Sequence, residues 1–319
     1  AFSFATYEIV IIAAGHLTKS MATAFMAPIL GAFIYSYRTK SMWGLAFASF
    51  FMALELAMNH VQVTYYLIFV LVAVGIYYLV KAIRDKDLMP FFKTTIGLIA
   101  AFALAFVINI GNILLTADYA KHTIRGGNDI TIAPDGSQVK NQSAGLDKDY
   151  ITNWSYGIGE SFTFISPNVK GGGHVRIDGI QFQEVLEKSD LTISEQKEVA
   201  KYPAYWGEQP TVAGPIYMGA VVILLALLAL FFVKSRLKWA LIGVTVLAIM
   251  LSWGKNFMGL TDLFIDFFPG YNKFRTVTII LVVVELCLPI LGMLFLQELT
   301  KEREALKEKK KKFLMVIGG

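Results

Sequence analysis

The chain is short of cysteine and of charge. Its 319 residues include one cysteine, Cys287, which excludes a disulfide within the chain. Charged residues make up 17% of the sequence, whereas soluble domains contain about 25%. The sequence also lacks zinc-type ligand spacings, a Gly-x-Ser-x-Gly motif, a P-loop and internal repeats. These absences disfavour a soluble domain, a disulfide-rich fold, a zinc protein and a P-loop enzyme.

Apolar residues are abundant instead, at 55% of the sequence, and they are grouped into long runs. Most runs are about 15–23 residues long, which suits a helix that crosses roughly 30 Å of hydrocarbon. They predict an all-α polytopic membrane protein with about eight spans. The runs cover residues 1–14, 21–36, 42–57, 63–80, 95–116, 214–233, 237–253 and 275–297.

The two ends of the sequence have the composition of chain interiors. Residue 1 opens an apolar run without Met or a signal peptide, and "FLMVIGG" has the composition of the start of another span. We therefore expect a fragment of a longer chain that lacks N-terminal and C-terminal parts. Its regions are predicted to be transmembrane helices over 1–116, a loop domain over 117–211 and transmembrane helices over 212–319.

Basic residues are confined to alternate connections between the runs. The basic connections contain Arg38 and Lys40, then Lys81 to Lys93, then Lys234 to Lys238, and finally "KEREALKEKKKK". The other four are "GHLTKS", "MNHVQ", residues 117–211 and "WGKNFMGLTDLFIDFFPGYNKF". The positive-inside rule places the basic set in the cytoplasm and the others outside. Topology thus accounts for most of the net charge of +5, which gives no indication of nucleic-acid binding.

The predicted outer connections also carry the reactive polar side chains. All four histidines lie there, together with clusters of aromatic and polar residues such as "TNWSYGIGE" and "PAYWGEQP". Folding does not require this segregation, so we expect function at the outer face. The alternative for single Trp and Tyr residues is an anchoring role at the membrane interface.

Two short outer turns combine imidazoles with other polar groups. Glu55 lies one helical turn before the turn that contains His60, and an ionisable side chain inside a span is usually paired or functional. The alternative is that this polar cluster caps helix ends and Glu55 holds it in place. Lys19 opposes the positive-inside bias and, with His16 and His60, would suit a phosphate; the alternative is an isolated lysine that extends to the surface. Glu285, deep in the last run, is expected to make an interhelical hydrogen bond.

Arg275 follows "FPGYNK", in which Pro269 and Gly270 break the helical pattern. The chain therefore turns there and Arg275 falls at the predicted outer interface. A guanidinium at that depth can hold a phosphate through two parallel hydrogen bonds. The alternatives are an arginine that reaches lipid headgroups or one that pairs with Asp266.

The long outer segment has mixed local signals. Residues 128–140 alternate around Pro-Asp-Gly and predict a β-hairpin, whereas residues 179–202 show helical periodicity in two short pieces. The segment is therefore expected to be a small mixed α/β outer domain. The glycine-rich stretch "SPNVKGGGH" is a weak nucleotide signal and is more typical of a hinge or a close-packing point.

Five motifs in order along the chain carry a family resemblance: "AGHLTKSMA", "MNHVQVTYYL", "GLDKDYITNWSYGIGESFTFISPNVKGG", "YWGEQPTVAGPIYMG" and "FPGYNKFRTV". Together they resemble the YfhO-like bacterial membrane proteins in their Bacteroidetes form. That family is similar to the GT-C class of membrane glycosyltransferases. The resemblance implies a GT-C-like helical bundle in the bacterial inner membrane, with the long loop in the periplasm. It also implies a polyprenyl-phosphate sugar as donor and a cell-envelope glycan or lipid as acceptor.

The resemblance and the residue chemistry together give candidate roles. Cations would stabilise the departing phosphate, an acid would activate the acceptor hydroxyl and aromatic rings would stack on sugars. The candidates are Glu160, Asp149 and Glu55 as catalytic acids, His16, Lys19, His60, Lys273 and Arg275 for the lipid phosphate, and Trp154, Trp206 and Tyr217 for stacking.

The sequence departs from the class in one respect. GT-C enzymes have a key acid in the first outer loop, which the resemblance places upstream of residue 1. The place just before "AGH" is occupied by Ala13 and Ala14, and the nearest acid is Glu8. A divalent cation is common in the class, but no residue pattern here fixes one, so the cofactor is unknown.

Two other functions fit the same features. A transporter or flippase of lipid-linked glycans would also place polar groups in a bundle, but this chain has few charges at mid-membrane and no matching polar set on the inner face. A non-catalytic membrane scaffold that binds envelope glycans would need only the outer segment. Transfer or movement of a radiolabelled sugar in proteoliposomes separates the three.

The predicted topology can be tested by cysteine labelling from outside the cell. An impermeant thiol reagent should label Ser143→Cys but not Lys86→Cys, because the two positions are predicted to lie on opposite sides of the membrane. Labelling of Lys86→Cys alone would reverse the orientation and overturn the outer-face argument.

Overall fold

The computed structural model describes residues 5–126, 145–174, 176–177 and 180–301, and most of these residues are helical. The first part contains α1 Thr6–Ala13, α2 Leu17–Thr39, α3 Met42–Ala57, α4 Val61–Arg84, α5 Leu88–Ile108 and α6 Ile110–Lys121. Short helices follow in the long segment, namely α7 Lys148–Thr152, α8 Ile180–Glu187 and α9 Ile193–Val199. The last part contains α10 Ala220–Phe232, α11 Leu237–Ser252, α12 Met258–Phe267 and α13 Leu281–Lys301.

Several of these helices are long and apolar enough to cross a membrane. They are α2, α4, α5 and the continuous run Val277–Lys301, in which a 3-10 turn precedes α13. A fifth, broken span is formed if α11 is joined to Gly254–Phe267, which is bent from it by 113°. The predicted all-α, multi-pass class is therefore confirmed, whereas the eight predicted spans are not shown.

The shortfall has local physical causes. Apolar α3 and α10 have 16 and 13 residues, and at about 1.5 Å per residue neither covers a full bilayer core. The predicted run 95–116 is interrupted at Asn109, whose side-chain amide donates to the carbonyls of Ala53 and Ala105, each at 3.0 Å. Apolar composition alone did not reveal this break.

The long outer segment is helical where helices were expected. Helices α8 and α9 fall in the two predicted pieces, and Thr192 caps α9 by accepting from the backbone N–H of Glu195. The described part of the chain has no strand, only an isolated bridge between Arg176 and Pro203. The predicted hairpin at 128–140 lies outside the described residues, so the mixed α/β domain is not shown.

Helix α4 lies at the centre of the bundle and contacts α2, α11 and α13. Helices α2 and α3 pack closely against each other, as do α10 and α13. The close approach of α2 and α3 depends on Gly44. A Cβ at this position would lie 2.5 Å from the Oγ of Ser36 and 2.9 Å from its Cα, so the backbone would have to move.

The turns between helices segregate by chemistry, as the sequence predicts. One end, the basic end, is formed by the turns after α2, α4 and α10. There Lys40 forms an ion pair with Asp87 at 3.0 Å, and the backbone N–H of Lys234 donates to Glu298 at 3.0 Å. The opposite end contains His16, His60 and the connection from α12 to α13.

We predict that Gly44→Ala lowers the free energy of unfolding by about 1–3 kcal/mol, because the new methyl overpacks the α2–α3 contact. Gly31→Ala is the matched control, since Gly31 lies in α2 and a methyl group added there would have no other atom within 4 Å. Thermal unfolding in detergent measures both. Equal stability of the two variants would contradict the close contact.

Candidate functional site

A cavity of about 660 Å³ lies at the end of the bundle opposite the basic end. Its walls come from α1, the first turns of α2 and α4, the segment 209–216 and the residues just before α13. The residues that line it are Tyr7, Val10, Ile11, Ala14, His16, Lys19, His60, Gln62, Arg125, Trp154, His174, Gln209, Thr211, Val212, Ala213, Gly214, Ile216, Arg275, Thr276, Thr278 and Ile279.

The cavity is strongly cationic. Lys19, Arg125 and Arg275 line it together with three of the four histidines, and its described lining contains no aspartate or glutamate. Cations that share one recess repel each other unless an anion lies between them. The charge of the wall therefore favours an anionic ligand.

Lys19 is the buried member of this set. It is only 8% exposed, and its ammonium lies 5.0 Å from the centre of the Tyr7 ring. The carbonyl of Lys19 accepts from the hydroxyl of Thr23, but its ammonium makes no hydrogen bond and no ion pair with any residue that the structure describes. A buried ammonium without an acceptor is costly, so a ligand oxygen that accepts from it would be strongly favoured.

Two long helices begin at the cavity. His16 is the N-cap of α2 and His60 the N-cap of α4, and neither side chain caps its helix. The unpaired N–H groups of a first turn and the helix dipole both favour negative charge nearby. These two helix ends add to the positive potential that the cationic side chains create.

Two acids lie in the apolar interior near Lys19. Glu8 accepts a hydrogen bond from Ser20 at 2.7 Å, and its second oxygen has no partner among the described residues. Glu285 is 2% exposed, and neither of its oxygens has such a partner. The interhelical hydrogen bond expected for Glu285 is therefore not made by the described residues. Both carboxyl groups are close enough to interact electrostatically with Lys19.

The surroundings of the two histidines at the N-caps favour the neutral imidazole. Burial, followed by the positive charges of Lys19 and Arg275, lowers the pKa of His16. Burial and then the charge of Lys19 lower the pKa of His60 to about 4. The buried Nδ1 of His60 has no partner in the described structure. Neutral imidazoles can donate and accept hydrogen bonds without adding to the charge repulsion.

Arg275 lies at the rim of the cavity. Its Nη1 donates to the hydroxyl of Tyr150 at 2.8 Å, and its carbonyl accepts from the amide of Gln62 at 2.8 Å. The alternative pairing of Arg275 with Asp266 is not seen among the described ion pairs. The carboxylate of Asp266 instead lies 3.7 Å from the ammonium of Lys148. Arg275 is among the lining residues, and the carbon of its guanidinium lies 5.8 Å from the centre of the Tyr150 ring.

Sequence reasoning missed Arg125 and His174. Arg125 donates through Nε to the carbonyl of Lys273 at 3.1 Å, and Lys273 donates to the carbonyl of Arg125 at 2.6 Å. Lys273, a predicted phosphate ligand, thus lies outside the lining and supports Arg125 instead. His174 follows the glycine-rich stretch, and its backbone N–H donates to Val212 at 2.7 Å. The clustering of histidine in the outer connections was the available signal for His174.

Glu160 is part of a buried hydrogen-bond network and does not line the cavity. It is 1% exposed, and it accepts from the hydroxyl of Tyr205 at 2.5 Å and from the N–H of Gly157 at 2.6 Å. Tyr205 in turn accepts from the N–H of Gln209, which lines the cavity. Through Tyr205, Glu160 therefore stabilises the segment around Gln209, which forms part of the cavity wall.

The other two predicted acids also lie outside the lining. Asp149 is exposed in the first turn of α7, which Asp147 caps. Glu55 is fully buried in α3, where its two oxygens accept from the hydroxyl of Thr64 at 2.8 and 2.9 Å. This contact joins α3 to α4.

Of the three predicted stacking residues, Trp154 alone lines the cavity, with its indole N–H 3.3 Å from the carbonyl of Thr211. Trp206 is 64% exposed elsewhere, and the ammonium of Lys170 lies 4.1 Å from its ring centre. The hydroxyl of Tyr217 accepts from the N–H of Ala220 at the start of α10.

The described residues contain no group of three or more His, Cys, Asp or Glu side chains arranged to hold a metal ion. Comparison of the chain with family models, with curated proteins and with solved structures finds no match. The chemistry of the cavity itself is therefore the basis for assigning a function.

We predict that acid destabilises the protein through His60. Its folded pKa of about 4 lies below the ordinary value of 6.5, so the unfolded chain takes up the proton more readily as pH falls between these values. The change in melting temperature from pH 7 to pH 4.5 should be less unfavourable in His60→Gln than in the wild type, because the variant no longer has this buried imidazole. His122→Gln, at an exposed histidine outside the cavity, is the control. An identical drop in both variants would contradict the buried, neutral state of His60.

Proposed function

We propose that the cavity binds the phosphate of a polyprenyl-phosphate sugar and that the protein is a membrane glycosyltransferase. The observation that carries the proposal is Lys19, a buried ammonium that lacks an acceptor in the described structure and faces a cavity without carboxylates. The resemblance to YfhO-like and GT-C proteins supports the same assignment.

The shape and polarity of the cavity favour a lipid-linked sugar phosphate over a small inorganic anion. A volume of about 660 Å³ exceeds what a phosphate alone would fill and is within the usual range for small-molecule sites, about 300–1,000 Å³. One wall is apolar, with Val10, Ile11 and Ile279, and Trp154 offers an aromatic face for a sugar. The cations supply the contacts for the phosphate.

The proposed reaction breaks the bond between the sugar C1 and the phosphate oxygen and forms a bond from C1 to an acceptor hydroxyl oxygen. Lys19, Arg275 and Arg125 stabilise the negative charge that grows on the departing phosphate. The acceptor hydroxyl must lose a proton, and His16 is a neutral imidazole within the cavity that can take it. The three acids predicted from the sequence, Glu160, Asp149 and Glu55, are not among the described residues that line the cavity.

We also propose how the protein is oriented in the membrane. The basic end faces the cytoplasm under the positive-inside rule, which puts the cavity and the 117–211 segment in the periplasm of a bacterial inner membrane. The acceptor is then a cell-envelope glycan or lipid. A bilayer-linked donor would present its phosphate at the depth where α2 and α4 begin.

We predict that Lys19→Gln in the full-length protein weakens binding of polyprenyl phosphate by more than about tenfold, because a charged hydrogen bond to the ligand is lost. Arg275→Lys should lose most transfer activity, since an ammonium cannot make two parallel bonds to a phosphate. Binding is measured in nanodiscs, and transfer with a radiolabelled donor in proteoliposomes.

Lys170→Gln is the matched control, because Lys170 lies on Trp206 outside the cavity and the charge change is the same. Wild-type binding and transfer in both cavity variants would refute the proposed site. Movement of the labelled lipid without transfer would favour a flippase, and binding of a glycan with neither activity would favour a scaffold.

A further inference from the structure

A second groove, of about 550 Å³, lies at the basic end of the bundle. It runs between α4 and the connection from α10 to α11. The residues that line it are Ala73, Ile76, Tyr77, Val80, Lys81, Arg84, Lys234, Ser235, Arg236, Trp239 and Ala240. It shares no lining residue with the cavity around Lys19.

The groove changes from apolar to cationic along α4. Ile76, Val80 and Arg84 are spaced by four residues and therefore form one stripe on the helix surface. Ile76 and Val80 are more than half exposed, and Arg84 is in the last turn. An occupant that follows this stripe would have an apolar body and an anionic head.

Basic side chains dominate the polar part of the groove. Four basic side chains line it, whereas its described lining contains no carboxylate. Lys81 and Arg84 share Asp85, at 2.9 and 3.1 Å, and Asp85 lies outside the groove. The guanidinium of Arg236 makes no ion pair or hydrogen bond with the residues that the structure describes.

Two aromatic side chains lie between the apolar and the cationic parts. Trp239 is 58% exposed and Tyr77 is half-buried in the groove. Tryptophan and tyrosine favour the level of the lipid headgroups, because their rings are apolar and their N–H or O–H groups are polar. This places the boundary between acyl chain and headgroup within the groove.

We propose that this groove is a binding site for an anionic phospholipid. The phosphate lies between Arg84 and Arg236, and an acyl chain follows Ile76 and Val80. Charge complementarity selects an anionic over a zwitterionic lipid, and the apolar stripe selects a lipid over a soluble phosphate. This site is independent of the glycosyltransferase proposal, because it is at the other end of the bundle.

The test compares lipid retention by native mass spectrometry of the full-length protein. Wild-type protein should retain phosphatidylglycerol in preference to phosphatidylcholine. The double variant Arg84→Gln/Arg236→Gln should reduce that retention by at least about tenfold, because two interfacial cations are removed. Lys86→Gln/Lys93→Gln removes the same charge at the same end but outside the groove, and should retain the lipid.

Three results would overturn the proposal. They are equal retention of phosphatidylcholine, an equal loss in the control variant, and displacement of the lipid by millimolar glycerol phosphate.

A second measurement does not depend on the folding of the charge variants. Phosphatidylglycerol with brominated acyl chains should quench the fluorescence of wild-type protein more than brominated phosphatidylcholine does. The difference should disappear in Trp239→Phe, because Trp239 is the tryptophan that lines the groove. A difference that survives in Trp239→Phe would place the lipid elsewhere.

Discussion

The arrangement of the cavity end depends on one constraint: backbone that leaves helical geometry near a membrane must have its polar groups bonded within the protein. The chain does this around residues 252–257 and again around 268–276. The segment 145–165 and Gln62 of α4 supply partners for these stretches. Tyr156 N–H donates to Ser252 at 2.8 Å, Thr276 N–H donates to Ile151 at 3.1 Å, and the amide of Gln62 donates to the carbonyl of Arg275. The motifs around "TNWSYG" and "PGYNKFR" are thus two halves of one hydrogen-bonded unit.

The same unit also determines which charged side chains at this end of the bundle have partners within the protein. Lys148 is held by Asp262 at 2.5 Å and by Asp266, and Glu160 is held by Tyr205 and two backbone N–H groups. The two aspartates and Glu160 are therefore bonded within the walls, while Lys19, Arg125 and Arg275 line the cavity. The positive potential at the cavity depends on which side chains line it, and the net charge of +5 for the whole sequence does not locate it.

The sequence was sufficient for the helical class, for the separation of basic and histidine-containing ends, and for five cavity residues, His16, Lys19, His60, Trp154 and Arg275. These follow from residue type and from the turn in which each lies. It was insufficient for Arg125, because that residue reaches the cavity through a contact with Lys273, 148 positions away. The sequence also did not indicate that Glu160 is buried. A glutamate beside aromatic residues can bond within the protein, as Glu160 does with Tyr205, or line a cavity, and the residue types do not distinguish the two. The short α10 and the break at Asn109 depend on packing and hydrogen bonds that apolar composition does not encode.

Helix α1 separates the cavity from the surroundings of the bundle. Tyr7 and Ile11 face inward, whereas Ile9 and Ile12 are at least half exposed on the other side. Within the described elements α1 packs mainly on α2, and Val10 touches Gly214, where a Cβ would come within 2.8 Å. Among the described residues, one helix of eight residues thus separates the cationic groups of the cavity from the outer side of the bundle at this place. If the cavity binds a lipid-linked donor, as we propose, displacement of this described helix would open a sideways path along which the hydrocarbon tail stays in the lipid.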